Sequence, residues 1–254
     1  MVKKILFAAA LIAALIPFAN AQDARNLTRA VTPQSVDQSK LPSTVPPYCN
    51  PCLFYGGDWP VNALSWVAFG NGNEYDAGTV YQYTTYVPFV VPGGQTWSVS
   101  ALFTNNIFYN YVTGTNDFQL NPNTVEWTIN QGVTTGSGGT VVASGTAPGN
   151  IKQTGRVYGG FYFEYTVTAA LTTAQSLPGG LYWLGAVGDC TDASCEQFMY
   201  LTDTHGRNHF GPQPPKCHAY QNGPQGGIDF ENTCDEGYGK GIASFLSAGV
   251  VGTK

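Results

Sequence analysis

The chain has 254 residues, enough for a sizeable core, yet only 11 % of them are charged and the formal net charge is −5. A net acidic chain with no Lys/Arg cluster is a poor nucleic-acid binder, and it offers anionic lipid nothing to hold.

Residues 1–21 read as a secretory signal peptide. Lys3 and Lys4 form a basic start, Ile5 to Phe18 an apolar run, and Ala19-Asn20-Ala21 an A-x-A cleavage site. The apolar run is short for a membrane span, and no second run approaches that length, so the mature chain is not expected to insert into a membrane. The expected location is secreted, extracellular or on the cell surface. Residues 22–48 carry Pro33, Pro42, Pro46 and Pro47 without hydrophobic period, and read as an extended arm. Such an arm is either a linker or a strand that joins a neighbouring molecule's sheet, which would make the protein self-associate.

Residues 49–254 show no composition break and are expected to form one domain. Ala63 to Phe69 suits a short strand, and Asn71-Gly72-Asn73 a turn. Thr79 to Val91 alternates, with Tyr81, Tyr83, Thr85, Val87, Phe89 and Val91 on one face; Pro88 suggests an edge or a bulge. Val87 to Phe103 reads as strand, turn, strand, reversing at Pro92-Gly93-Gly94. Beyond that turn Trp97, Val99, Ala101 and Phe103 share a face. The pattern returns in Leu177 to Val187, with Trp183 five residues after its proline as Trp97 is after Pro92. Between the two copies, the stretch from Thr104 reads as a strand and a broad loop. Val125 to Ile129 and Thr140 to Thr146 are strands around Gly136 to Gly139. Phe161, Phe163, Tyr165, Val167, Ala169 and Leu171 alternate inward. Phe198 to Leu201 and Ile242 to Val251 follow, the last with a bulge at Gly249. No segment has a sustained helical period. The fold expected is all-β: an antiparallel two-sheet sandwich of jelly-roll type with an extended N-terminal arm.

Six cysteines in an exported chain imply disulfides. Local pairing gives Cys49–Cys52, Cys190–Cys195 and Cys217–Cys234. The three histidines, His205, His209 and His218, lie close to Cys217. Imidazole and thiolate are zinc ligands, but Gly206, Pro212, Pro214 and Pro215 oppose the helix that H-x-x-x-H needs, and exported cysteines are oxidised; no metal site is assigned. Structural calcium has candidate oxygen ligands in Asn71 to Asp76 and among Asp189, Asp192 and Glu196, without EF-hand spacing. No other cofactor is indicated.

Two carboxylates stand mid-strand, Glu126 and Glu164. On one sheet face they would form the acid pair of a glycosidase; alternation alone places them on the solvated side of a sandwich. Tyr81, Tyr83, Tyr86, Tyr109 and Tyr111 lie among Asn, Thr and Gly. Sugar rings stack on aromatic faces, so these tyrosines are the candidate glycan-binding residues; the competing reading is cross-strand packing.

The PGG-x-x-W strand, the VEWTI and SGGTVVASGTA pair and the LPGGLYWL strand resemble those of a broad group of uncharacterised exported bacterial β-sandwich proteins. The similarity covers Thr79 to Val187. It implies a fold and export, and no reaction. The leading function is therefore a secreted or cell-surface non-catalytic binding or structural module, with polysaccharide or glycan as the partner. The alternatives are a secreted polysaccharide hydrolase or lyase using Glu126 and Glu164, and a self-assembling surface protein.

Overall fold

The computed structural model describes residues 45–58, 68–76, 79–110, 124–158, 162–189, 197–202, 204, 206, 208–224, 227–234 and 245–254. The expected signal peptide, the expected arm as far as residue 44, Tyr111, Asp192, Glu196, His205 and the expected Cys190–Cys195 pair lie outside the described residues. The fold is all-β, and no α-helix occurs among the described residues.

The twelve strands are β1 (Cys52–Tyr55), β2 (Ala68–Gly70), β3 (Gly72–Asp76), β4 (Thr79–Asn110), β5 (Thr124–Gln131), β6 (Thr140–Pro148), β7 (Asn150–Tyr158), β8 (Tyr162–Asp189), β9 (Gln197–Thr202), β10 (Tyr220–Gly223), β11 (Ile228–Asn232) and β12 (Ala248–Thr253). The pairs among these strands are antiparallel except that of β3 with β8, a parallel bridge at Gly72 and Gly188. β4 and β8 are the frame. They run antiparallel from Val87 opposite Leu184 to Ile107 opposite Glu164. The first half of β4 and the second half of β8 carry β3, β5, β6 and β10; the other halves carry β7, β9 and β12. β12 in turn holds β1.

Here the structure corrects one expectation. Pro92-Gly93-Gly94 does not reverse the chain. It lies inside β4, opposite the second PGG segment, Pro178-Gly179-Gly180. Val91 pairs with Gly180 and Thr96 with Pro178, so four residues of β4 face Gly179 alone. Proline removes a ladder donor and Gly94 has φ +76°, so the ladder breaks and bends instead of turning back. Gly179 has to be glycine: a Cβ there would lie 2.9 Å from the Pro92 carbonyl oxygen. The two motifs thus form one bend in a two-stranded ribbon.

A second irregularity follows at Ser100. Val99 pairs with Gly252 and Ala101 with Val251, which makes Ser100 an extra residue against β12. A one-residue slip exchanges the faces beyond it. Trp97 and Val99 therefore share the main core with Leu102, whereas Phe103 and Ala101 turn to a second cluster with Tyr48, Cys49, Tyr55 and Val251. The expected single face from Trp97 to Phe103 is split at this point. Trp97 and Trp183 are both buried, but in different clusters: Trp97 stacks on Phe89, and Trp183 packs with Val133 and Tyr220.

The main core draws Val87, Phe89, Leu184 and Ala186 from one half of the ribbon, Val167, Ala169 and Leu102 from the other, and Val250 from β12 beside it. The halves also touch through a hydrogen bond from Thr104 Oγ1 to the Ala186 carbonyl, 3.0 Å. Layers stacked in this way are compatible with a sandwich. Tyr83, Thr85, Val87, Phe89 and Val91 are buried as alternation predicts, and so are Val167 and Ala169. Pro88 lies opposite Trp183, just past the three residues of β4 that β10 covers. Asn71-Gly72-Asn73 is not a turn: Gly72–Asp76 is β3, paired along β4. The closing strand starts at Ala248, and its register shift falls between Val251 and Gly252, not at Gly249.

Two expected disulfides are formed, Cys49–Cys52 and Cys217–Cys234. Disulfides point to a non-cytoplasmic environment. Among the described residues no helix is long and apolar enough to cross a membrane, which says nothing of strands.

Candidate functional site

The chain buries its polar chemistry along Thr104-Asn105-Asn106, in the middle of β4, where all three residues are fully buried. Successive side chains of a strand point to opposite faces, so this triplet feeds two networks.

On one face sits Asn71. Its Oδ1 accepts from the Thr85 amide at 3.1 Å, and its Nδ2 donates to Asn106 Oδ1 and the Ala186 carbonyl, both at 3.0 Å. Asn106 Nδ2 donates to Thr104 Oγ1 at 2.8 Å. Every strong hydrogen-bonding atom of the Asn71 amide is engaged, which is the condition for burying it without loss.

On the other face sits Asn105. Its Oδ1 accepts from Thr166 Oγ1 at 2.7 Å and from the Tyr48 hydroxyl at 3.2 Å; its Nδ2 donates to Ser247 Oγ at 2.9 Å. Beyond Tyr55 the network becomes ionic. The Tyr55 hydroxyl donates to Asp58 Oδ1 at 2.6 Å. Arg156 Nη1 reaches the same oxygen at 2.5 Å, and Arg156 Nε reaches Glu164 Oε2 at 2.5 Å. Thr154 Oγ1 donates to Glu164 Oε2 at 2.6 Å, and Asn208 Nδ2 to Asp58 Oδ2 at 2.5 Å. Asp58, Arg156 and Glu164 are all buried. Glu164 Oε1 and Arg156 Nη2 make no hydrogen bond, although Nη2 lies 2.5 Å from Glu164 Oε2.

Local sequence explains the assembly. Gly56 lets the chain after β1 pass against Leu246, where a Cβ would fall 1.9 Å from the carbonyl oxygen, and this sets Asp58 in place. Thr154 and Arg156 share a face of β7, next to the start of β8, where Glu164 stands.

Two carboxylates face one guanidinium. Burial alone would lower the Arg156 pKa, but Glu164 first, and then Tyr55, Tyr48 and Asp58, hold the cation so firmly that it is raised instead. Burial pushes the Tyr55 phenol well above its usual value, against the pull of Arg156; Tyr48 is raised for the same reason. This is an ion cluster committed to its own neighbours.

The expected site residues are placed as follows. Glu164 is not on a solvated face: it is 0 % exposed and held by Arg156. Glu126 is half-buried beside Val187 and Thr146, and its Oε2 accepts from Gln82 Nε2 at 2.6 Å. The two acids share no partner among the described residues. Tyr83 is buried, with its ring against Gly223, and the Tyr86 ring lies 5.1 Å from that of Phe230. Tyr83 is thereby closed to a stacking ligand, and Tyr86 is half-buried. The side chains of Tyr81, Tyr109 and Tyr111, and that of Asp189, lie outside the described residues. The Asn71 side chain is consumed by its own network, which removes it from any calcium loop. His209 packs between Phe54 and Phe245, and His218 stands by the Cys217–Cys234 bridge with Nδ1 on the Lys216 carbonyl. Among the described residues no three His, Cys, Asp or Glu side chains group as metal ligands would.

Asp58 and Arg156 were not singled out from the sequence. The available signal was the Thr154-x-Arg156 alternation beside an acid in an apolar strand, in a chain with few cations. A buried carboxylate calls for such a partner. Comparison with protein families, with characterised proteins and with solved structures finds no match to this chain.

Proposed function

We propose that the protein is a secreted or cell-surface, non-catalytic binding or structural module whose ligand class is carbohydrate. The observation that supports the non-catalytic part is the engagement of Glu164. A glycosidase needs two carboxylates free to flank a bond, one as acid and one as base or nucleophile. Glu164 instead closes a buried ion cluster with Arg156 and Asp58, and Glu126 is bonded to Gln82. The carbohydrate part rests on composition: aromatic rings among Asn, Thr and Gly, with Tyr81, Tyr109 and Tyr111 as the main candidates, since Tyr83 is buried and Tyr86 half-buried against Phe230. Export is supported by the A-x-A site and by the two disulfides.

The test is retention on insoluble polysaccharides and a glycan array. Retention that Tyr109→Ala and Tyr111→Ala abolish, with no release of reducing sugar, is the expected result. Sugar release that disappears in Glu126→Gln would replace this reading by the hydrolase. Protein recovered from the culture medium should begin at Gln22; material that still starts at Met1 would remove the export step.

A further inference from the structure

Sheet edges are hazards, and most edges here are guarded. β1 is buried, and Phe210 pairs with Tyr55 beside it. β11 carries Asp229 and Glu231, and β7 carries Lys152. β2 has three residues. Charge, cover and shortness are the ordinary means of stopping edge-to-edge pairing. β6 is different. Among the described residues it pairs with β5 alone, and its nine residues, Thr140 to Pro148, include no charged side chain. It is exposed over most of its length; Val141 is 57 % and Val142 42 % exposed.

The neutral strip is longer than the strand. No charged residue occurs between Glu126 and Lys152, in a chain of net charge −5. Copies of this protein carry the same net charge, and this strip adds nothing to their repulsion. The edge is shaped as well as uncharged. Ile129 pairs with Ala143 and Asn130 with Val141, so Val142 is an extra residue that bends the strand, and Pro148 has no amide to donate. Between these two stops, Ala143 to Ala147 has no strand on its outer side among the described residues; Ser144, Gly145 and Thr146 are exposed, and the Ala143 and Ala147 side chains pack inward on the core. The stretch is self-complementary about Gly145: set antiparallel against itself, Ala143 meets Ala147, Ser144 meets Thr146, and the exposed Val142 meets Pro148. Small side chains and a Ser–Thr pair are what a close strand pairing accepts.

We propose that β6 is a self-association edge: two copies join β6 to β6 about a two-fold axis through Gly145, extending the sheet across the dimer. A two-fold contact uses the same patch on both copies, as this stretch does.

The test is sedimentation velocity and light scattering of the purified, oxidised mature chain over a concentration series, with Ser144→Lys and Thr146→Lys as variants. Both positions are exposed. Each variant brings like charges into the facing strands, which should raise the dimer Kd by about tenfold or more. Thr173→Lys, on an exposed stretch of β8, should leave association unchanged. Unaltered far-ultraviolet dichroism shows that a variant is folded; should one of the pair fail to fold, the other decides. A wild-type chain that stays monomeric at all concentrations overturns the proposal. So does a dimer that neither lysine at β6 weakens, since it would form through another face.

Discussion

Arg156 decides the behaviour of its surroundings, because it is the cation shared by Asp58 and Glu164. Buried ion pairs contribute little beyond what apolar residues of the same volume would, but removing one partner strands the other in a medium that does not solvate it. Arg156→Met should therefore lower the unfolding free energy by about 3–5 kcal/mol, measured by urea titration. Adding Glu164→Gln should restore part of that loss, since one stranded charge is then removed; a double variant no more stable than the single would show that the cost is packing rather than charge. Tyr55 supplies a pH test of the same cluster. Its phenol is raised well above 10.0 by burial. Above about pH 10 the unfolded chain releases this proton while the folded chain keeps it, so stability is present below that pH and is lost as pH rises. Tyr55→Phe should be less stable at pH 8, having lost the hydrogen bond to Asp58, and should show a shallower alkaline decline. An unchanged alkaline slope would place the titration elsewhere. At this scale the sequence was half legible. Alternation placed Glu164 opposite the apolar face, which is correct, but period two cannot tell a face in water from a face against Arg156. Asp58 follows two glycines in a stretch without period, and its position is fixed by distant partners: the Leu246 backbone against Gly56, and Arg156 and Asn208 on its own carboxylate.

Among the elements, the β10–β11 hairpin is held on the sheet by two devices. β10 pairs with Thr84 to Tyr86 of β4, and Cys217–Cys234 ties the loop before β10 to the end of β11. Under it lies Trp183, whose Nε1 donates to the His218 carbonyl at 2.5 Å. A bridge with a sequence separation of 17 is worth about 3 kcal/mol in the chain-entropy account. The Cys217→Ser, Cys234→Ser double variant should lose about that much, and the Trp183 indole proton should exchange with solvent faster by proton NMR. A stability loss without faster exchange would mean that β10 alone keeps the hairpin seated. Glycines test the other local assignments. Gly56→Ala puts a methyl into the Leu246 backbone and should cost about 3 kcal/mol or more, whereas Gly93→Ala, which meets nothing within 4 Å, should be close to silent by thermal melt. The strands themselves were readable, because alternation and β-branched residues survive in one dimension. The Pro-Gly-Gly segments were not. The same residues make a hairpin turn or an in-strand bend, and the choice depends on what stands opposite, here a second Pro-Gly-Gly in β8. Ser100 is invisible for a similar reason: nothing in Ser98 to Ser100 says which serine β12 skips.

The whole molecule hangs on strands that pass from one half to the other. β4 and β8 do so as the bent ribbon, and β6 continues past Gly149 into β7, pairing first with β5 and then with the opposite end of β8. The main core mixes side chains from both halves, and the Thr104 hydrogen bond to Ala186 crosses between them. Neither half can therefore lose its core while the other keeps its own. Heat or denaturant should produce a single transition, coincident by far-ultraviolet and near-ultraviolet dichroism, with calorimetric and van't Hoff enthalpies equal. The disulfides must remain oxidised during the experiment, since reduction removes a separate source of stability. Refolding should be slow, because the ribbon is made of non-local pairs: Val87 and Leu184 are 97 positions apart, and even its inner end, Ile107 with Glu164, closes 57. Two separated transitions, or a calorimetric enthalpy well above the van't Hoff value, would mean that the halves melt independently and that the ribbon joins two domains rather than running through one core.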